Sequence, residues 1–511
     1  MMKQSLIKGT LILSSAAIFT KLLGLVNGIV MARVLGSEGV GLMMMVVPIA
    51  GFLIAVTTLG LDVAISKLVA EYDSKGNARM VKRILIISLT TTSVLAILLT
   101  ASTLIFSKVL SSLILTDQRA YYAFICSVLI VPVIAVSAVI KGYFRGKQYM
   151  TPIALSQVIE QIVRISSIFI FVQWLLPYGI EFAAAGAIIS GVLGEIISLF
   201  FIGIVFKKMK KASFTLHCSV LQEIQNGKNT LLELFHISLP ITGNNIIRAT
   251  TLVLQPIIIV QSLNLAGIEA SAATKYYGTL MGFTMPLLLL PASLASNSLS
   301  VALVPAISEA DIQKDFLLIN HTIRKAVQFS LMIGVPWTVI LYFFPDLLTM
   351  VFYHSKEAGA FIKMLAPLFL LQYLRIPFGS IIIGLGKAKA VMFNHIFSSF
   401  ILLIAIFLLS SNPKFGISGV IIALNLEIVL ATSLHYFTVV KLTGFHINVS
   451  DLLKILTASC IMVIGSINIY QYLSTQHLNN IIVLIILLTL SCFIYLFLLF
   501  IFKTFSLLES E

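Results

Sequence analysis

Charge is scarce in this sequence: only 11% of its 511 residues are Asp, Glu, Lys or Arg. A soluble chain usually carries about a quarter. With 59% hydrophobic residues and a mean hydropathy of +1.05, a soluble fold is excluded and a polytopic membrane protein is indicated. Cysteine is also rare. Cys126, Cys218, Cys460 and Cys492 are scattered, and Cys126, Cys460 and Cys492 fall in apolar runs. None has CxxC spacing or a His at ligand distance, so they read as structural apolar residues, and no metal site is indicated. Acidic residues number 20 against 34 basic ones, a formal charge of +14. The basic runs lack interleaved aromatics, which argues against nucleic acid as a partner. No HExxH, GxSxG or paired-cysteine motif occurs, so neither an enzyme nor a cofactor is implied. Gly142–Gln148, GYFRGKQ, superficially resembles a phosphate loop. It has three intervening residues instead of four, lacks Ser or Thr after Lys147, and joins two apolar segments. Any transport must then run on ion gradients, membrane potential or the substrate gradient.

What is present is a succession of apolar segments, at about 9–35, 41–69, 84–110, 120–141, 152–176, 181–206, 234–262, 271–305, 326–353, 359–385, 390–411, 415–440, 452–473 and 480–502. They predict an all-α membrane protein of about 14 helices. The first segment continues past Ser14–Ala17 to Leu35, so it reads as an uncleaved helix and not a signal peptide. Alternate loops collect the cations: Lys75 to Arg83, Lys141 to Lys147, Lys207 to Lys228, Lys314 to Lys325, Lys387 and Lys389, then Lys441 and Lys454. The other set has only Lys108, Arg119, Lys356 and Lys414. This bias places both termini in the cytoplasm.

A weak internal repeat recurs at an offset of about 230–240 residues. IKGYFRGKQYMTP at Ile140–Pro152 aligns with IGLGKAKAVMF at Ile383–Phe393, and Ala64-Ile65-Ser66 with Ala306-Ile307-Ser308. Gly179-Ile180 followed by Glu195 aligns with Gly416-Ile417 followed by Glu427. The expected organisation is an N-lobe over 1–206, a basic cytoplasmic linker over 207–233, a C-lobe over 234–440 and two extra helices over 441–511. Six helices per lobe make the repeat parallel, with a site expected between the halves.

A charge at the centre of a membrane helix costs about 2.5–3.5 kcal/mol on insertion scales, so each needs a cavity, a partner or a route to the interface. Ala17–Leu42, AIFTKLLGLVNGIVMARVLGSEGVGL, is apolar at its ends and polar within. At 100° per residue, Thr20, Lys21, Gly24, Asn27 and Gly28 share one face, and Arg33 lies about 120° from Lys21. Lys21 is therefore assigned to a cavity and Arg33 to the outer rim by snorkelling. Asn244, Arg248, Thr251 and Gln255 form the cleanest polar stripe, and Lys275 and Thr279 continue the theme on the next segment. Pro286 and Pro291 are expected to kink that segment, acting as a hinge or freeing carbonyls. Glu160 and Arg164 are spaced for a local ion pair, which either closes on itself or faces a wet surface lined by Gln157 and Gln161. Glu195 and Glu427 fall mid-helix at matching places in the two halves. Each either couples a cation or pairs structurally, with Arg164 or Arg375 as partner.

KGTLILSSAAIFTKLLGLVNGIVMARVLGSEGVGL, LGLDVAISKLVAEYDSKGN and KGYFRGKQYMTP resemble the polysaccharide-export branch of the multidrug/oligosaccharidyl-lipid/polysaccharide (MOP) flippase superfamily. The resemblance covers nearly the whole chain and is strongest to members from endospore-forming bacteria. It implies two six-helix lobes plus two helices, a central cavity that opens alternately to each side, and a lipid-linked saccharide as substrate. It also implies a role in supplying spore-cortex precursor, with cell-wall synthesis proteins as partners. Lys21 and Arg33 match basic positions of the related lipid II flippases, Asn27 stands where a second mid-helix Arg is expected, and an expected Arg falls near Thr279. On this basis Lys21, Arg248 and Lys275 would hold a diphosphate, and Asn27, Asn244 and Gln255 would bind sugar or peptide, with Thr251 and Thr279 lining the cavity. Two alternatives are a cation-coupled multidrug exporter of the same fold and a non-transporting sporulation scaffold.

Overall fold

The structure is a computed structural model that describes residues 6–210, 227–446, 449–476 and 478–502. Most of the expected linker, 207–233, lies outside the described residues. The described residues form helices and no strands. In chain order they are α1 (Leu6–Thr58), α2 (Leu61–Ser74), α3 (Ala78–Ile105), α4 (Ser107–Ile114), α5 (Tyr121–Val128), α6 (Ile130–Gly146), α7 (Met150–Leu175) and α8 (Ile180–Lys210). There follow α9 (Lys228–Leu265), α10 (Ala270–Gly278), α11 (Met285–Ile312), α12 (Phe316–Phe343), α13 (Pro345–Tyr353) and α14 (Lys356–Gly384). The chain closes with α15 (Ala388–Ser410), α16 (Ile417–Thr443), α17 (Val449–Thr475) and α18 (Asn480–Ile501).

Among the described residues, twelve stretches are long and apolar enough to cross a membrane. The first, Ile12–Ser74, has 63 residues. At about 1.5 Å per residue it far exceeds a hydrocarbon core of about 30 Å. It turns at Gly36, whose φ of 70° and ψ of 177° suit glycine alone. The break falls where the sequence separates the apolar segments 9–35 and 41–69. Helix starts follow side-chain chemistry: Asn77, Asp315 and Ser355 accept from the backbone N–H of Met80, Leu318 and Ala358 at the heads of α3, α12 and α14.

The chain divides into two compact units. The first holds α1 to α9, up to Asn264, with Ile268–Gly278, and the second holds Thr279 onward together with Leu265–Gly267. In the first unit, one core gathers Ile65 and Leu68 of α2, Ile84 of α3, Phe144 of α6, Ile202 of α8 and Leu234 of α9. A second gathers Leu42 and Val46 of α1, Phe124 of α5 and Ala184 of α8. Because lipid tails are as apolar as leucine, close packing and not water exclusion holds such helices together.

That packing recurs along the chain. A Cβ on Gly146 would meet Ser66 O at 2.8 Å and Val69 Cβ at 2.7 Å, and one on Gly384 would meet Val304 O at 3.0 Å and Ile307 Cβ at 2.9 Å. Gly384, Val304 and Ile307 each stand 238 residues after Gly146, Ser66 and Val69. Ser300 and Ser380, which share a 2.8 Å hydrogen bond, stand the same distance after Asp62 and Gly142, which are also in contact. The contact pattern thus repeats with the offset of the sequence repeat.

The segment 271–305 is interrupted. α10 gives way to a π-wound stretch, Thr279–Thr284, and Pro286 sits in the first turn of α11. Pro291 has no N–H to offer the Leu287 carbonyl one turn back. Trp337 donates its indole N–H to that carbonyl at 3.0 Å, and the Tyr373 hydroxyl donates to the Leu288 carbonyl at 2.9 Å. Both carbonyls are thereby satisfied within the second unit. Trp337→Phe should lower the stability of the solubilised protein by about 1–3 kcal/mol, the cost of an orphaned buried acceptor, and Tyr373→Phe by less, because the Leu288 carbonyl faces the Ala292 N–H one turn on in its own helix. Denaturant titration of each variant checks this, and a Trp337→Phe protein as stable as wild type would contradict it.

Candidate functional site

The polar face expected on α1 is open at its glycines. A Cβ placed on Gly24 or Gly28 would meet no atom within 4 Å. Small residues in membrane helices usually allow close approach by a neighbour, but here they leave room. Lys21, on the same face, is exposed and among the described residues makes no hydrogen bond or ion pair. The Asn27 side-chain carbonyl is buried without a hydrogen-bond partner. Thr20 spends its hydroxyl on the Ala17 carbonyl at 3.0 Å. Arg33 is exposed near the Gly36 turn.

The α9 stripe lies in the same unit. Arg248 is exposed and, like Lys21, without a described partner. Thr251 donates to the Ile247 carbonyl at 3.2 Å, as a membrane threonine commonly does. Gln255 is buried. The side chain of Asn244 lies outside the described residues. Lys275, on α10, is half-buried, and Thr279, in the second unit, is fully buried.

The acids behave differently, because each is neutralised inside its own unit. In the first unit, Lys141 of α6 binds Glu195 of α8 at 3.1 Å, and Arg164 binds Glu160 on α7 at 2.6 Å. Glu160 and Glu195 are close enough to repel each other, so two cations and two anions form one balanced cluster. In the second unit, Arg375 of α14 binds Glu427 of α16 at 2.9 Å. Ser398 of α15 also donates to Glu427, at 3.4 Å, and His395 of α15 contacts Arg375 at 3.2 Å. Of the two cations the sequence offers as partners, Glu427 takes Arg375, while Glu195 takes Lys141, which the sequence does not offer. The sequence places Lys141 among the loop cations, yet α6 runs on to Gly146 and keeps it within the helix. His395 carries no periodic signal in an apolar run. Its spacing of three from Ser398 was the available sign that the two share a face.

Two further groups of polar contacts secure the first unit. Asp62 pairs with Arg145 at 3.5 Å, and Asp73 pairs with Lys147. The recognisable motifs of α2 and α6 therefore hold each other. Near Gly36, Arg119 bridges Asp117 and Glu38, and Thr274 of α10 donates to Asp117 at 3.0 Å. Here α1 and α10 touch closely: a Cβ on Gly41 would lie 2.1 Å from the Thr274 carbonyl, and one on Gly278 would lie 2.1 Å from that of Ser37. Burial alone would raise the Asp117 carboxyl. Hydrogen bonds from the Arg119 side chain and backbone and from Thr274 outweigh it and hold the group below its ordinary value.

Residues 6–311 match the family model described as polysaccharide biosynthesis protein. The chain is 43% identical over 476 residues to stage V sporulation protein B of Bacillus subtilis (strain 168), covering 93% of this chain and 91% of that protein. It is 25% identical over 409 residues to the lipid II flippase MurJ of the same organism, covering 76% and 74%. Among solved structures, the lipid II flippase MurJ in an inward closed conformation matches with a TM-score of 0.71 at 18% identity. That match covers 98% of this chain and 100% of the other, a likeness of fold.

Two expectations follow from the paired acids. Lys141→Met and Glu195→Gln should each destabilise the protein by about 3–5 kcal/mol, because each leaves a buried charge alone, and the double variant should recover part of the loss. A double-mutant cycle on thermal unfolding measures this, and strictly additive losses would contradict it. The Asp117 contacts stabilise above its unfolded-state value of about 3.9, and that stability is lost as pH falls through the lower folded-state value. Asp117→Asn should therefore cost stability at pH 7, and the gap to wild type should close toward pH 3.

Proposed function

From the chain's membership of the polysaccharide biosynthesis protein family, within the MOP superfamily of flippase-like transporters, we propose that it translocates an undecaprenyl-linked cell-wall precursor, lipid II-like, across the cytoplasmic membrane. Its relatives stage V sporulation protein B and lipid II flippase MurJ favour a precursor destined for spore-cortex peptidoglycan, and cell-wall synthesis proteins as partners. Both termini face the cytoplasm, as the loop cations favour. The repeat makes two six-helix lobes and two extra helices, and translocation proceeds by alternating access, with the π-wound stretch and Pro286 as hinge.

One observation carries this reading. Lys21 and Arg248 are exposed on membrane helices and unpaired among the described residues, whereas Glu160, Glu195 and Glu427 are all neutralised by cations. Unpaired cations facing lipid would cost about 2.5–3.5 kcal/mol each, so they face a wet cavity instead. That cavity is electropositive and suits a diphosphate, with Lys275 as a third cation. Asn27, with its unpartnered carbonyl, and Gln255 contribute hydrogen bonds to the sugar or peptide, and Thr251 lines the wall. A cation-coupled drug exporter would instead need acids open to the cavity.

Replacement of Lys21, Arg248 and Lys275 together by Gln should lower flipping of a lipid-linked precursor in proteoliposomes by at least about 100-fold, given about 1.5–3 kcal/mol per charged hydrogen bond. Protein yield should be unchanged. Flipping at the wild-type rate would overturn the assignment.

A further inference from the structure

The repeat leaves one face of the first unit without the cover that its counterpart has. α3 runs from Ala78 to Ile105 and α12 from Phe316 to Phe343, with α4 and α13 following them, so the two pairs of helices match at the 238-residue offset. Matching side chains nevertheless differ in burial. Ile97 is 62% exposed and Val335 2%, Phe106 59% and Phe344 6%, Leu113 72% and Val351 9%. In the second unit α17 packs along α12 and α18 against α13, and the Phe344 ring meets Tyr470 of α17 edge-on at 5.5 Å. α17 and α18 follow the repeat and have no counterpart in the first unit. Among the described residues, the matching face of α3 and α4 is bare.

Apolarity alone does not call for a protein partner, since lipid serves as well. Position and pattern do. α3 has 28 residues, about 42 Å of helix against a hydrocarbon core of about 30 Å. Its cations, Arg79, Lys82 and Arg83, stand in its first turns, so its other end and α4 reach the far edge of the hydrocarbon. There α4 buries Ser107 and Ser111 and exposes Val109 and Leu113. It presents apolar side chains where lipid tails give out.

Deeper in α3, the exposed Val94, Leu98, Ala101 and Ile105 recur at spacings of four, three and four, the seam of a left-handed helix pair. The Ser102 hydroxyl beside them is spent on the Leu99 carbonyl at 3.0 Å, so the seam asks for no polar partner. It also carries no charge: Lys108 comes only after the chain breaks at Phe106, with φ −91° and ψ 14°. A second copy inserts in the same orientation. A two-fold axis along the membrane normal then sets α3 parallel to α3, and each seam residue faces its own copy. A charged seam could not tolerate that meeting, and this one can.

We infer that the α3–α4 face binds a second copy of this chain, α3 against α3, and that the protein is a dimer in the membrane. The contact takes the place that α17 and α18 fill on the second unit. It does not depend on what is carried, so failure of the flippase reading would leave it standing.

The test uses the full chain in its membrane, with Cys126, Cys218, Cys460 and Cys492 replaced by Ser. Leu98→Cys and Ala101→Cys should each give a disulfide-linked dimer on mild oxidation. The yield should be at least about tenfold above that of Phe493→Cys, exposed on α18. Subunit counting by photobleaching of the wild-type chain in liposomes should give two copies. Phe106→Ala, Val109→Ala and Leu113→Ala together should weaken dimerisation by at least about tenfold. Wild-type monomers at every protein-to-lipid ratio, as when lipid or another protein covers the face, would overturn the proposal. So would a dimer that the triple variant leaves intact, or a Phe493→Cys cross-link as strong as that of Ala101→Cys. Should the cysteine-free chain fail to fold, subunit counting of wild type and the triple variant decides by itself.

Discussion

An ion that enters the hydrocarbon layer must be paired or wetted, and this rule orders most of what is polar in the protein. A broken buried pair costs about 3–5 kcal/mol, comparable to a large part of a protein's whole stability. Lys141–Glu195 ties α6 to α8, and Arg375–Glu427 ties α14 to α16. In each unit a cation reaches across to an acid two helices further on. The glycine and serine contacts at the 238-residue offset bring the backbones together, and the ion pairs fix which faces meet. Close packing and charge pairing thus act together within each unit.

Much of the fold was legible because it rests on local properties. Apolar length marked the helices, and Gly36 fell where two apolar segments part. For Glu427 the sequence offers Arg164 or Arg375 as a partner without choosing between them, and the structure gives Arg375. Lys141 is not among the offers. It precedes Arg145 and Lys147, so composition assigns it to a basic loop, while its partner is 54 residues away on another helix. Its neighbours in that cluster do serve the helix end, pairing with Asp62 and Asp73. The π-wound stretch before Pro286 and the use of Trp337 to satisfy the Leu287 carbonyl were hidden for the same reason. Both depend on what a distant helix delivers to a broken backbone.

The candidate site shows how one helix assigns opposite duties to the same residue type. Beyond Gly36, Gly41 of α1 admits the backbone of α10 so closely that no side chain fits between them. Before Gly36, a Cβ on Gly24 or Gly28 would meet no atom within 4 Å. Periodicity groups Lys21, Gly24, Asn27 and Gly28 on one face, but it does not say whether such a face is packed or open. The deciding fact is the lysine. A face closed by a neighbour would have to supply an acid for Lys21. In this unit Glu160 and Glu195 are already held by Arg164 and Lys141, and Glu38 and Asp117 by Arg119. With these acids already engaged by other cations, Lys21 has no acid partner among the described residues, and a cation left so in a membrane helix has to be answered by water or by an anion brought from elsewhere.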